Sequence, residues 1–336
     1  MLEFRPVRLD DQDFAKTVIC SSGCHGADYS FANLYIWRHA YEPEIAFISE
    51  RMIIRMPKYG YIFAYPKGSG DVKPIIDELL EDAHSRDQKL IMRGLTPKTL
   101  EEFEPVYGDR FTIEENREDA DYIYTVEKLR DLRGRKLSSK RNHIKHFERN
   151  GEWEFKLIES GEDIDSARAF VAEFYKEKGD PDLVKEADAI EQMFENYEAL
   201  GFFGGLLYQN GEPVAFTAAT QLDQLTMDVH FEKALPGVEG AYTMINREFV
   251  RAISEKFPDV EFINREEDMG LEGLRKAKES YHGNKVSKGQ KDYTEVELVF
   301  GDEDTEPVEG ALFQRLVEEL LIPLLDAVKE ESSDAA

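Results

Sequence analysis

The sequence predicts an α+β protein made of two like-ordered units in tandem. Three observations carry that expectation. Short β-branched and aromatic runs alternate with helical periodicities along the chain. The order strand, two helices, three strands, helix, strand, helix, strand occurs twice. A segment of distinct, basic composition separates the two occurrences. The halves share this order without residue-level identity.

In the first unit, LEFRPV (Leu2 to Val7) reads as a strand, and Asp10 and Asp11 suit the cap of the helix after it. FANLYIWRHAY is a second helix, and EIAFIS, RMIIRM and YIFAYP are β-like. Lys73 to Arg86 is a helix because Ile75, Ile76, Leu79, Leu80 and Ala83 share one face. KLIMRG, DRFTIEE and DYIYTVE are strands, with TPKTLEEFE a short helix after the first of them. In the second unit WEFKLI is a strand, and Ile164 to Glu177 and Val184 to Leu200 are helices. FGGLLYQ, PVAFTAAT and LTMDVHF are strands, the first two joined through Asn210-Gly211, a type I′ hairpin signal. Tyr242 to Lys256 is a helix, VEFIN a strand, Leu271 to Ser280 a helix and VELVF a late strand. The expected domains are residues 1–126 and 151–300, with a basic connecting helix at 127–150 and an acidic tail at 301–336.

Composition narrows the function classes. Of 336 residues, 41% are hydrophobic, enough for packed cores. Acidic residues outnumber basic ones 69 to 42, for a net charge of −27, which argues against DNA as a partner and against binding an anionic bilayer non-specifically. No run approaches the roughly 18 apolar residues of a membrane span. The start, MLEFRPVRLDDQDF, carries acids where a signal peptide has an apolar stretch. Two cysteines make no disulfide framework. A cytoplasmic protein with at most peripheral membrane contact is expected. Cys20, Cys24 and His25 suggest a metal, but a structural zinc needs four ligands and the sequence offers no obvious fourth, so no metal is expected. GxSxG, Walker and GxGxxG patterns do not occur, which disfavours α/β-hydrolase and P-loop chemistry.

The basic segment, residues 128–149, holds nine Lys or Arg against Asp131 and Glu148. Lys136 to Asn150 suits a helix that buries Leu137, Ile144 and Phe147. Lys140, Arg141, Lys145 and Arg149 then project from its other faces, a row suited to phosphates; a solvated surface helix is the plainer reading. A second signal is the strand ending in LTMDVHFE, where alternation puts Leu225, Met227, Val229 and Phe231 on one side and Thr226, Asp228, His230 and Glu232 on the other. Gly237 and Gly240 then lead into a helix N-terminus, an arrangement that favours an anion, although Glu239 between them opposes it and an ordinary turn explains the glycines equally. The third signal is the charged turn Arg265-Glu266-Glu267-Asp268 after Asn264, which reads either as a cleft-lining loop or as a helix cap.

Four stretches, Asp28 to Arg38, KRNHIKHF, VHFEKA with EGAYTMINREF, and NREEDMGLEGLRKAKESY, resemble the bacterial family that shares the C-terminal domain of phosphatidylglycerol lysyltransferases. The resemblance runs from about Leu2 to His282. It implies two tandem domains of the GNAT acyltransferase type, in an architecture that includes Fem-type, aminoacyl-tRNA-dependent transferases acting on lipids or peptidoglycan precursors. The sequence departs from the pattern in two ways. It lacks the membrane-embedded region of the lipid lysyltransferases, and Gly237-Val238-Glu239-Gly240-Ala241 spaces its glycines unlike the usual acetyl-CoA loop.

The function expected on this basis is transfer of an acyl group from a phosphate-bearing carrier, an aminoacyl-tRNA or an acyl-CoA, to an amine or hydroxyl. Glu232 and His230 are the expected bases, with Asp268 as a further candidate and Tyr281 as proton donor. Lys140, Arg141, Lys145, Arg265, Asn264, Gly237 and Gly240 are the expected donor-binding residues, and the cationic helix is expected to face a crevice shared by the two units. The rival reading is a non-catalytic ligand-binding or protein-interaction module on the same fold. A terminal apolar stripe, Leu312, Leu316, Leu320, Leu324 and Val328, with Pro323 breaking its helix, is expected to pack on its own chain rather than dock a partner.

Overall fold

Apolar runs in the first half build strands β1 (Arg5–Pro6), β2 (Glu44–Ile48), β3 (Arg51–Arg55), β4 (Ile62–Ala64), β5 (Lys67–Gly68), β6 (Ile91–Leu95), β7 (Phe111–Glu115) and β8 (Ile123–Thr125). Helices α1 (Gln12–Ser22), α2 (Phe31–Ile36), α3 (Arg38–Tyr41), α4 (Lys73–Ser85) and α5 (Pro97–Tyr107) accompany them. The basic segment forms α6 (Val126–Asp131) and α7 (Ser138–Arg149). The second half contributes β9 (Trp153–Leu157), α8 (Gly161–Tyr175), α9 (Pro181–Glu195), α10 (Tyr197–Leu200), β10 (Phe203–Gln209), β11 (Glu212–Gln221), β12 (Thr226–Ala234), α11 (Ala241–Lys256), β13 (Phe262–Asn264), α12 (Glu272–Glu279) and β14 (Val296–Phe300). The computed structural model describes residues 2–22, 26–95, 97–108, 110–115, 117–176, 181–282 and 296–300. The terminal apolar stripe, Cys24 and His25, and the side chain of Cys20 lie outside the described residues.

The expected α+β architecture of two GNAT-like units holds: the described strands form two mixed sheets flanked by helices. The first runs β1-β2-β3-β4-β6-β14-β7, with β5 paired to β3; the second runs β8-β13-β12-β11-β10-β9. Within them β4–β6 and β12–β13 are parallel, and the other pairs are antiparallel. Sheet membership does not follow the expected boundaries. β8, from residues 1–126, pairs with β13 in the second sheet. β14, placed by its position in the second unit, sits between β6 and β7 in the first. The reason is that strand pairing is a long-range choice which local periodicity does not encode.

The Asn210-Gly211 turn has φ of 54° and 86°, both positive, as a type I′ hairpin requires. The predicted stripe Leu137, Ile144 and Phe147 is fully buried. It joins Met244, Ile245, Phe249 and Ile263 in a core on one face of the second sheet. On the opposite face Phe216 and Phe231 join Phe170 and Phe194 with Tyr29, Phe31 and Ile36 of the first unit. This core therefore spans both units. A third, under β4 and β6, packs Ile76 and Leu79 of α4 against Phe63 and Met92. Among the described residues α7 packs chiefly on α11, so the buried stripe of the cationic helix sits in the core of the second unit rather than in the core shared by the two units, contrary to expectation.

Candidate functional site

The charged residues of β12 do not share one face. Pairing between β11 and β12 slips by one residue, so Ala218 faces Phe231 while Ala219 faces Val229, and His230 is the extra residue of a β-bulge. Met227 and Val229 therefore pack in the α7–α11 core, whereas Phe231 packs in the core shared with the first unit. The bulge also divides the polar residues. Asp228 and His230 face the junction, and Glu232 faces α11. Strict alternation missed this.

On the α11 side, Arg265 Nη2 donates to Glu232 Oε1 at 2.7 Å, and Asn246 Nδ2 donates to Glu232 Oε2 at 3.0 Å. The Arg265 guanidinium lies 5.0 Å from the centre of the Tyr281 ring, and Lys140 Nζ lies 3.8 Å from the same centre. Arg265 Nη1 is buried with no acceptor in good hydrogen-bond geometry, the Tyr281 hydroxyl being a polar group beside the guanidinium. Burial, together with the neighbouring Arg265, pulls the Lys140 ammonium down to about 8. Burial pushes the Tyr281 phenol up to about 12, so it stays protonated at neutral pH. The cluster thus offers two cations, one paired carboxylate and a protonated phenol.

At the junction, His230 Nε2 lies 2.8 Å from Thr220 Oγ1. Its Nδ1 lies 3.0 Å from Asn33 Oδ1 on α2 and 3.1 Å from Glu266 Oε1. Asp228 is wholly buried, and neither of its carboxylate oxygens accepts a hydrogen bond. The loop after β13 aims these groups. Asn264 Oδ1 accepts from the Glu266 N–H at 2.7 Å, which holds Glu266 at φ 55°, a region few non-glycine residues adopt. Asn264 Nδ2 donates to Asp121 at 2.6 Å, and the Ala27 N–H donates to the same oxygen at 2.8 Å. Burial pushes the Asp121 carboxyl up to about 7. Beneath the loop, Lys278 Nζ donates to the carbonyls of Arg265 at 2.6 Å and Glu266 at 3.0 Å, and to that of Glu267.

The remaining expected site residues are placed as follows. Asp268 accepts from Arg275 through two bonds of 2.8 Å, from the Tyr122 hydroxyl at 2.7 Å and from the Gly270 N–H at 3.0 Å. Those bonds, Arg275 foremost, hold its carboxyl well below the usual carboxylate range and tie down the loop. Arg141 donates to the carbonyls of Leu132 and, at 2.8 Å, Gly134, bracing the turn between α6 and α7. Lys145 is exposed. Asn264 is wholly buried and occupied as described. Gly240, at φ 89°, lies beneath α7: a Cβ there would stand 2.4 Å from the His143 carbonyl oxygen. This contact is helix packing against the start of α11 rather than an open anion cradle. Gly237, at φ 86°, borders open space, and Glu239 meets His146 at 3.1 Å. Sequence reasoning missed Asn33, Thr220, Asn246 and Lys278. Asn33 lies inside the Asp28–Arg38 stretch that carried the resemblance, the one signal that pointed near it.

Two mixed sheets flanked by helices, with a buried charged site at the end of β13 and beside a bulged strand, define the α+β class of the protein. The family described as phosphatidylglycerol lysyltransferase, C-terminal, matches residues 22–288, and the chain belongs to that family. A conserved protein of unknown function from Bacteroides thetaiotaomicron is 33% identical, with a TM-score of 0.80 over 90% of this chain and 100% of that one. L-PGS from Bacillus licheniformis shares the fold at 15% identity, with a TM-score of 0.58 over 92% of this chain and 97% of that one. FemX shares it at 10% identity, with a TM-score of 0.52 over 88% and 97%. Among curated proteins none matches. Among the described residues no helix is long and apolar enough to cross a membrane.

Proposed function

We propose that the chain is an acyl- or aminoacyl-transferase. It would take its acyl group from a phosphate-bearing carrier, an aminoacyl-tRNA or an acyl-CoA, and pass it to an amine or hydroxyl acceptor such as a lipid or cell-wall precursor. The observation that carries this reading is the cluster around Tyr281, where the buried Arg265 guanidinium, its Nη1 without an acceptor in hydrogen-bond geometry, and the Lys140 ammonium converge. A buried guanidinium nitrogen without an acceptor is costly unless a ligand supplies one. Family membership supports the reaction class.

In this reading Lys140 and Arg265 hold the carrier's anionic end, and exposed Lys145 and Arg149 extend the path along α7. The acceptor's amine or hydroxyl attacks the acyl carbonyl and gives its proton to Glu232, whose carboxylate keeps acceptor capacity beyond its two bonds. The tetrahedral oxyanion collapses, the carbonyl carbon's bond to the carrier oxygen or sulfur breaks, and the Tyr281 hydroxyl protonates the leaving group. Proton return from Glu232 through solvent restores both residues.

The test measures binding of aminoacyl-tRNA and of acyl-CoA across a salt series, and then turnover. Arg265→Gln and Lys140→Gln are expected to weaken donor binding, and Glu232→Gln to keep binding while abolishing turnover. A steep salt dependence identifies the tRNA donor and a shallow one the CoA donor. Unchanged donor affinity in Arg265→Gln overturns the assignment. Donor binding without turnover in the unaltered protein favours the binding-module reading, which the Glu232–Arg265 ion pair also accommodates.

A further inference from the structure

We propose that Asp228, His230 and Glu266, with Asn33 Oδ1 as a fourth donor, form a binding site for one divalent transition-metal ion at the junction of the two units. The proposal stands apart from the Tyr281 cluster, which lies on the other face of β12.

Four donor atoms from three elements converge there. His230 Nδ1 lies 3.0 Å from Asn33 Oδ1, 3.1 Å from Glu266 Oε1 and 3.6 Å from Asp228 Oδ2. Metal–ligand bonds of about 2.1 Å place neighbouring donors roughly 3.0–3.4 Å apart; two of the three distances from Nδ1 fall in that range, and the Asp228, His230 and Glu266 donor atoms lie within 4.8 Å of one another, close enough to share one ion. The donors are mutually ill-suited without a cation. One imidazole N–H satisfies one oxygen well, yet three oxygens face it, and both oxygens of wholly buried Asp228 accept no hydrogen bond. The Lys278 ammonium beneath the loop directs its bonds to the backbone carbonyls of residues 265, 266 and 267.

The surroundings have the form that orients metal ligands. Thr220 Oγ1 sits 2.8 Å from His230 Nε2, a partner that accepts the Nε2 proton and leaves the Nδ1 lone pair toward the cluster. Asn33 Nδ2 donates to Glu266 Oε1 at 2.8 Å and to the Ala27 carbonyl at 3.3 Å, which fixes its Oδ1 toward His230. The Asn264 turn fixes Glu266. One imidazole nitrogen with carboxylate and amide oxygens suits Zn²⁺ or Mn²⁺ better than Mg²⁺ or Ca²⁺, which prefer all-oxygen shells. Because Asn33 belongs to the first unit and the other ligands to the second, the ion would pin the two together.

The test uses the full chain, stripped with chelator and titrated calorimetrically with Zn²⁺ and, separately, Mn²⁺. One ion per chain is expected, with a higher thermal midpoint in its presence. Asp228→Asn and Glu266→Gln should each weaken binding by about tenfold or more. His39→Gln, at the exposed His39–Asp188 pair, should leave binding unchanged and so excludes surface histidine binding. Electron spin-echo spectra of the Mn²⁺ complex should show one imidazole nitrogen, lost in His230→Gln. Asp228→Asn removes a carboxylate ligand with little change of shape. Should it nonetheless fail to fold, Glu266→Gln and the nitrogen signal decide the matter. No binding at roughly 100 µM ion, equal binding by the folded variants, or a complex without a nitrogen ligand overturns the proposal.

Discussion

The ammonium of Lys140 sits 3.8 Å from the centre of the Tyr281 ring, on a helix whose other cations point into solvent or into its own turn. Within the basic segment, that contact singles out the lysine that reaches the Tyr281 cluster.

Lys140 gives the cluster a pH dependence. Its folded pKa, lowered to about 8, lies below its ordinary value. The ammonium is charged below pH 8 and is lost as pH rises through it, so affinity for an anionic donor should fall above pH 8. Lys140→Arg should hold that affinity to well above pH 10. The linkage to stability runs the opposite way. Below about pH 8 the folded state carries the cost of a half-buried charge, and between pH 8 and 10.5 the unfolded chain binds more protons, so stability should rise across that window. Donor titrations and thermal melts across pH 7–11 measure the two effects.

Arg141 and Lys145 should separate cleanly. Arg141→Ala removes a charged donor from two carbonyls and should cost about 1–3 kcal/mol of stability, read by denaturant unfolding. Lys145→Ala should leave stability unchanged. With a tRNA donor it should lower the slope of log affinity against log salt by about one phosphate contact.

Glycine 240 should tolerate alanine poorly, and glycine 237 better. Both have positive φ, which costs about 1–2 kcal/mol for a residue with a side chain. At Gly240 the added methyl also meets the His143 carbonyl and Phe147, so α7 must move. Gly240→Ala should therefore lower the thermal midpoint further than Gly237→Ala. It should also weaken donor binding, because Lys140 rides on the displaced helix.

Asp268→Ala should behave as the loss of a loop anchor. It strips the acceptor from Arg275, Tyr122 and the Gly270 N–H, so the denaturation midpoint should fall measurably. The exposure of Arg275 limits the effect, since solvent screens its pairing. Chemical denaturation is the measurement. An activity loss with unchanged stability would instead restore Asp268 as a catalytic base.

Much of the fold was legible locally. The stripe Leu137, Ile144 and Phe147, the Asn210-Gly211 turn and the span of α11 follow from spacing and turn chemistry. The site was legible only in outline. His230, Glu232 and Arg265 do lie in buried charged clusters, but the extra residue at His230 divides them, and a bulge leaves no mark in an alternating sequence. Asn33 and His230 meet across 197 positions, a proximity that no local window reveals. Asp268 is held by Arg275, Tyr122 and the Gly270 N–H, and Arg141 by the carbonyls of its own turn, partners that residue type alone does not reveal. Charge density marked the neighbourhood without assigning the roles.

The reciprocal loan of β8 and β14 makes each unit hostage to the other's completion. An internal strand of the first sheet arrives from beyond residue 290, and an edge strand of the second comes from before residue 126. Cutting the chain at its apparent midpoint would leave two fragments, each missing a piece of its own sheet. The molecule should therefore melt in one cooperative step, and its two lobes are heritable only as a single piece.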